Sequence, residues 1–304
     1  MRQIYPLELA GNFRLDYDIY DEKGDIVYKS GEELTPSLLM RLNYKKLFVK
    51  ENRTSEASVV KKIPHQKHSS VISEKATKIL LSNTKSIMKK IYENETPDVH
   101  EYEDATDIIL EEVGSKLENI DCISQLRIFD EYTFSHTVNV SSMASALAMV
   151  LELGDKQIKE LAMGALLHDI GKMLVPKDIL NKPGKLDEEE FKIMKSHTLL
   201  GYNYIKANLE VPEDVAKVAL DHQEKYGGLG YPNGLMGKQI SLYAQITSIA
   251  DVYDALISNR VYKRAFDPEK AVSIMIEESE KSFNPYMLEK FLKLADTEQQ
   301  IKIL

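Results

Sequence analysis

Four of the seven histidines in this 304-residue chain sit on apolar helical stripes, where side chains chosen only for packing would be carbon. The sharpest case is residues 166–172, L-L-H-D-I-G-K, where His168 is followed directly by Asp169 at the end of an apolar run. Ile158, Leu161, Ala162 and Ala165 recur at the three- and four-residue spacing of one helix face, and continuing that stripe lands on Asp169. The carboxylate therefore points inward, with His168 close to the same face. An unpaired buried carboxylate costs several kcal/mol or changes protonation, so something positive should meet it. An imidazole beside a carboxylate suits Mn, Fe, Zn or Ni held by nitrogen and oxygen, whereas a satisfied core hydrogen bond would explain an isolated pair equally well. Lys172 follows the turn at Gly171.

The remaining histidines weigh against the isolated pair. A helix over 133–153 carries His136, Val140, Met143, Ala144, Leu147 and Leu151 on one stripe. After Asp187, an N-cap trailed by three glutamates, one helix is expected with Met194, His197, Gly201, Tyr204 and Ile205 sharing a face. Pro212 opens the next, whose stripe of Val215, Val218 and Ala219 ends on His222. Coincidence explains one such histidine better than four. In 239–258, Ala244, Thr247, Asp251, Asp254, Ala255 and Ser258 form a stripe of small and acidic side chains, which brings backbone close to a site and adds a second inward carboxylate. That helix runs out into Arg260, Lys263 and Arg264, cations suited either to a helix C-terminus or to a phosphate clamp. Residues 227–237 hold five of the chain's fourteen glycines, so this loop needs unusual backbone angles or close approach to a ligand. It lacks the strand–loop–helix setting of a dinucleotide or P-loop motif.

The elements that must position these residues are mostly helical. Residues 1–50 read as a small α+β module: an alternating strand ending at Ile19, a turn at Asp21 to Gly24, a strand at 26–28, a helix opened by Thr35 and Pro36, and a strand at 47–49. Residues 51–70 read as a linker, with His65 and His68 as exposed linker residues. Two amphipathic helices follow in 71–124, one with Ile72, Ala76, Ile79, Leu80, Asn83, Ile87 and Ile91 on a face, the other with Ile108, Ile109, Val113 and Leu117. They serve as a coupler, as a surface pairing two protomers in a homodimer, or as a hairpin covering the core. Residues 125–304 form the helical domain that carries the histidines. A net charge of −9 argues against nucleic acid polymers as partners. One cysteine, Cys122, permits no intrachain disulfide and fits a reducing cytoplasm. No apolar run approaches the roughly 20 residues of a membrane span.

The order His136, His168-Asp169 with Lys172, His197, His222, Gly230-Tyr231-Pro232 and Ala250-Asp251-Val252-Tyr253-Asp254-Ala255 resembles the HD-GYP family of the HD phosphohydrolase superfamily, over about residues 125–280. The first fifty residues also resemble a small module found ahead of such domains. The resemblance implies a mainly α protein, with an all-helical HD-type domain and two divalent metals, iron or manganese. It implies hydrolysis of cyclic di-GMP to pGpG or GMP in bacterial signalling. By the same resemblance His136, His168, Asp169 and Asp251 hold one metal, and Asp169 bridges to a second held by His197 and His222. Lys172 lies near the scissile phosphate, while Arg260, Lys263 and Tyr231 contact substrate. The family's H-H-E reads His222-Gln223-Glu224 here, which makes Gln223 a weaker ligand in place of a histidine. Tyr132 stands where some members carry a glutamate for a third metal, and Gly227 where an aspartate is frequent. Gln223 favours a rival reading, a weak or inactive relative that binds the dinucleotide or a protein partner. A third reading is an HD hydrolase of another nucleotide.

Overall fold

The computed structural model of the protein describes residues 2–4, 18–31, 47–49, 70, 72–93, 95–119, 122–128, 132–182, 184–258 and 265–295. They divide into two compact units, a smaller one drawn mainly from Met1–Lys67 and a larger one made of His68–Leu180, Leu186–Asn259 and Ala265–Leu304.

The smaller unit holds a four-stranded antiparallel sheet in the order β1-β4-β2-β3, with β1 at Arg2–Ile4, β2 at Ile19–Tyr20, β3 at Ile26–Tyr28 and β4 at Leu47–Val49. The turn joining β2 to β3 is built by Asp21, whose carboxylate accepts from the amides of Lys23 and Asp25, and by Gly24 at φ 87°. Strand β1 has no counterpart in the expectation from sequence. The expected strand is described only at its end, and the helix expected after Thr35 and Pro36 lies outside the described residues, as do His65 and His68.

The larger unit is helical: α1 (Glu74–Tyr92), α2 (Val99–Gly114), α3 (Tyr132–Val150), α4 (Asp155–Leu167), α5 (Lys177–Leu180), α6 (Glu188–Lys195), α7 (His197–Asn208), α8 (Glu213–Asp221), α9 (Leu242–Ile257), α10 (Pro268–Glu277) and α11 (Pro285–Leu294). Asp98 opens α2 with a reciprocal capping box to Glu101, and Asp187 opens α6 with the same device to Glu190. Helices α1 and α2 share one core with α3, α4 and α9 through Ala76, Leu80, Leu81, Ala105, Ile109 and Val113, which favours the hairpin-over-core reading of this segment. Helix α3 is buried nearly all round, including Ser141, Ser142 and Ser145, and Ser141 donates to the Ala162 carbonyl of α4 at 2.8 Å. Such small polar contacts let α3 and α4 pack closely and fix their relative rotation.

Two helix boundaries differ from expectation. Helix α4 stops at Leu167, so Asp169 lies in the turn before a short 3₁₀ segment, Ile170–Leu174, rather than on the helix. Its side chain still points inward, because the turn continues the helical sense at the α4 C-terminus. The single helix expected through His197 is broken at Ser196. There the backbone amide bonds to the Ile193 carbonyl, and the hydroxyl donates to the same oxygen at 2.6 Å, in place of regular i−4 bonding alone. The break begins α7 on His197.

Candidate metal centre

Each histidine reaches the site from a helix terminus or a helix's first turns. His136 lies in the first turns of α3, His168 follows α4, His197 opens α7 and His222 follows α8. In three of them the ring is fixed from behind by main chain. Nδ1 of His168 is 2.7 Å from the Ala165 carbonyl, that of His197 is 2.9 Å from Met194, and that of His222 is 3.1 Å from Ala219. A carbonyl can only accept, so Nδ1 carries the proton and Nε2 keeps a lone pair facing the interior.

His136 is fixed by charge instead. Its Nδ1 donates to Asp254 Oδ2 at 2.7 Å, and the Asp254 carboxylate also accepts from Arg127 Nε at 2.8 Å and Asn139 Nδ2 at 3.2 Å. Arg127 further bonds the Ser258 hydroxyl and the Ile257 carbonyl. All of these side chains are buried. Burial opposes ionisation of Asp254, but His136 and Arg127 outweigh it and hold the carboxyl below its ordinary range. Burial also opposes the charge on His136, and here Asp251 and Asp254 win, pushing its pKa up to about 9.

The rings follow one another edge to face, with centroids 5.6 Å apart from His136 to His168, 5.0 Å from His168 to His222 and 5.3 Å from His222 to His197. Asp169 lies inside this arc and divides its two oxygens. Oδ1 is 3.6 Å from Nε2 of both His197 and His222, while Oδ2 is 3.3 Å from His168 Nε2 and 4.0 Å from His136 Nε2. Asp251 Oδ1 is 3.2 Å from His136 Nε2. Donor atoms of His136, His168 and Asp251 form one group within 4.8 Å of one another, and those of His168, Asp169 and His222 form a second.

Four observations show that this donor set suits divalent cations. Nε2 of His168 and Oδ1 of Asp169 are buried without a hydrogen-bond partner, a costly state for two polar atoms that a cation would resolve. Nε2 of His197 and Nε2 of His222 face each other at 3.3 Å, two lone pairs with no proton between them once both Nδ1 atoms are protonated. Burial and the neighbouring His222 push the His197 pKa down to about 4, so this ring is a neutral ligand at ordinary pH. Burial disfavours the charged form of Asp169, yet Lys172 and His168 hold it ionised well below the usual carboxylate range.

Close backbone approach brings the two halves together. A Cβ on Gly171 would lie 1.9 Å from the His197 carbonyl oxygen and 2.5 Å from the Gly201 amide, so only glycine lets the 3₁₀ segment carrying Asp169 reach α7. Lys172 pairs with Asp169 Oδ2, with its side chain 35% exposed at the edge of the site. Gln223 places its amide 3.5 Å from Asp251 Oδ2. The glycine-rich loop folds back over α8 because Glu224, buried, accepts from the amides of Asn233 at 2.7 Å and Leu235 at 3.0 Å. A Cβ on Gly230 would sit 2.3 Å from the Lys225 amide, and Gly228 and Gly234 adopt φ of 82° and 66°. The loop thereby sets the Tyr231 ring edge-on to His197, centroids 6.4 Å apart.

Of the residues singled out from sequence, His136, His168, Asp169, Lys172, His197, His222, Asp251, Gln223 and Tyr231 come together here. Arg260 and Lys263 lie outside the described residues. The sequence reading missed the roles of Arg127, Asn139, Asp254 and Glu224. Asp254 was visible as a second acid on the Asp251 stripe. Arg127 and Asn139 gave no signal, since their burial is decided by α9 rather than by their own surroundings in sequence.

The HD domain family profile matches residues 122–286. A cyclic di-GMP phosphodiesterase of Pseudomonas aeruginosa is 42% identical over 169 residues, covering 56% of this chain and 41% of that protein. The cyclic di-GMP phosphodiesterase response regulator RpfG of Xanthomonas campestris is 37% identical over 165 residues, 54% of this chain and 44% of its own. A cyclic di-GMP phosphodiesterase of Thermotoga maritima is 35% identical over 214 residues, 70% of this chain and 56% of its own. The chain thus spans about half the length of the curated relatives it matches. Among solved structures, Bd1817, an HDG"Y"P protein from Bdellovibrio bacteriovorus, superposes with a TM-score of 0.59 at 20% identity, covering 96% of this chain and 98% of that one. At that identity the likeness speaks for the fold.

Proposed function

We propose a function that starts from membership: the chain belongs to the HD domain family, and its donor cluster is that of a metal-dependent phosphodiesterase acting on a cyclic dinucleotide, cyclic di-GMP first. The observation that carries this reading is the divided carboxylate of Asp169, with one oxygen turned to His197 and His222 and the other to His168 and His136. That arrangement supports two divalent ions sharing Asp169, one completed by His136, His168 and Asp251, the other by His197 and His222. Mixed imidazole and carboxylate donors suit iron or manganese.

Such ions, when bound, lower the pKa of water and offset charge on phosphoryl oxygens. The chain's own residues do the rest. Asp254 and the three carbonyls orient the imidazoles, so little reorganisation is needed when phosphate arrives. Lys172, partly exposed at the rim beside Asp169, would donate to a phosphoryl oxygen. Tyr231, carried on a loop pinned by Glu224, forms a wall of the pocket beside His197. The named activities of the relatives favour cyclic di-GMP as substrate, whose hydrolysis gives pGpG or GMP, and the single cysteine fits a cytoplasmic setting.

Gln223 favours a second reading, a dinucleotide receptor with a weakened second metal position, because an amide, turned here toward Asp251 of the first donor group, follows His222 where an imidazole would be the stronger ligand type. One experiment separates the two. Metal content per chain is measured on anaerobically purified protein, together with turnover of cyclic di-GMP under added Mn(II) or Fe(II). Two metals with phosphodiester hydrolysis is the expected result. One metal or none, with binding but no turnover under either ion, makes the protein a receptor.

A further inference from the structure

We propose that Phe191, Lys195 and Tyr231 form a guanine-selective subsite beside the metal centre, in which Lys195 donates to the O6/N7 edge of a base stacked on the aromatic rings. The inference rests on the cyclic-dinucleotide reading above and deepens it. The ammonium of Lys195 lies over two aromatic rings, 5.2 Å from the Phe191 centroid and 5.7 Å from that of Tyr231. No carboxylate among the described residues stands within ion-pair distance of it. Helix α6 has no buried residue, and Phe191 is 49% exposed, so this ring is not there to fill a core. Tyr231 in turn abuts His197, which puts the cluster one side chain away from the metal donors.

The chemistry selects the ligand. Ring faces carry partial negative charge, so a phosphate against them is disfavoured, while a planar base stacks well. An ammonium at the edge of a stacked base finds two acceptors, O6 and N7, on guanine. On adenine it finds N7 next to the N6 amino donor, which repels it. A lone lysine flanked by rings therefore reads guanine over adenine, and it does so without a neighbouring acid to neutralise it.

The test compares kcat/KM for cyclic di-GMP and cyclic di-AMP in metal-loaded wild type, Lys195→Met, Lys195→Arg and Phe191→Ala, with metal content per chain measured in each. Lys195→Met should lower the guanine-to-adenine ratio about tenfold, through KM. Lys195→Arg, which can donate to the same pair of acceptors, should keep most of the ratio. Phe191→Ala should raise KM for both dinucleotides by about tenfold while leaving their ratio near wild type, because stacking is blind to the base edge. An unchanged ratio in Lys195→Met, or equal losses on both substrates, overturns the guanine contact and leaves the phosphodiesterase reading standing. A metal-loaded wild type that hydrolyses neither dinucleotide refutes that reading itself, and this subsite with it.

Discussion

The two halves of the donor cluster are held by different means. On one side His136 leans on Asp254, which is itself gripped by Arg127 and Asn139, all in the interior. On the other, His197 and His222 lean on neutral main-chain carbonyls, and their position depends on the glycine contact between Gly171 and α7. The first half is braced by charge at His136, although His168 leans on the Ala165 carbonyl, and the second is braced by packing. A carboxylate behind an imidazole makes it a more basic ligand than a carbonyl does, so the two halves should differ in affinity for the same ion. Asp169 belongs to both, and substitutions there and on either side divide the effects.

The largest effect is expected at Asp169. Asp169→Ala removes the oxygens that face both pairs of histidines, so metal content should fall to background and hydrolysis by more than about a thousandfold. Elemental analysis alongside turnover checks this; normal metal content in a folded variant would remove Asp169 from the centre.

Gly171→Ala comes next and attacks the packed half most directly. With 1.9 Å between the new Cβ and the His197 carbonyl, the 3₁₀ segment and α7 must part, at a cost of about 3 kcal/mol or more. His136 and Asp251 of the charge-braced half come from α3 and α9 and do not depend on that contact. Denaturant melts should show the stability loss, and metal titration should retain one binding step of the two. Loss of both steps in protein that is still folded would show that the halves are not separable.

Asp254→Asn reverses the comparison. It leaves an acceptor for His136 but removes the charge, so the tighter binding step should weaken by about 10- to 100-fold while the step at His197 and His222 persists. Titration with Mn(II) followed calorimetrically distinguishes the steps. A uniform weakening of both would mean that the network behind His136 supports the whole fold rather than one half of the site.

The halves also differ in how far they could be read from sequence. The inward histidines and Asp251 were legible because helical period places them among apolar neighbours, and Asp169 was legible although the helix that carried the extrapolation ends at Leu167. Local turns preserve direction over two residues, so the error in helix length did not move the side chain out of the site. The break at Ser196 was not legible, since the apolar face of 194–205 continues smoothly through it and only a hydroxyl competing for one carbonyl marks it. Glu224 read as part of a motif, but its work, holding the loop amides of Asn233 and Leu235, depends on a chain reversal that no periodicity encodes. Arg127 lies outside every apolar stripe, and the Asp254 it meets is far along the chain.

The smallest effect is expected at Gln223, and it sharpens the contrast between the halves. Its amide stands 3.5 Å from Asp251 Oδ2, a long contact that contributes little by itself, while its carbonyl accepts from the Tyr231 amide through the main chain. The side chain is therefore replaceable without unpinning the loop. If the packed half is weaker because an amide stands where an imidazole would serve, Gln223→His should tighten the weaker metal step by about five- to tenfold and leave the tighter one unchanged. The same titration reads both. An unaltered weaker step would mean that position 223 lies beyond reach of the ion, and that the difference between the halves resides in the groups behind His136 and His197, the carboxylate on one side and the carbonyl on the other.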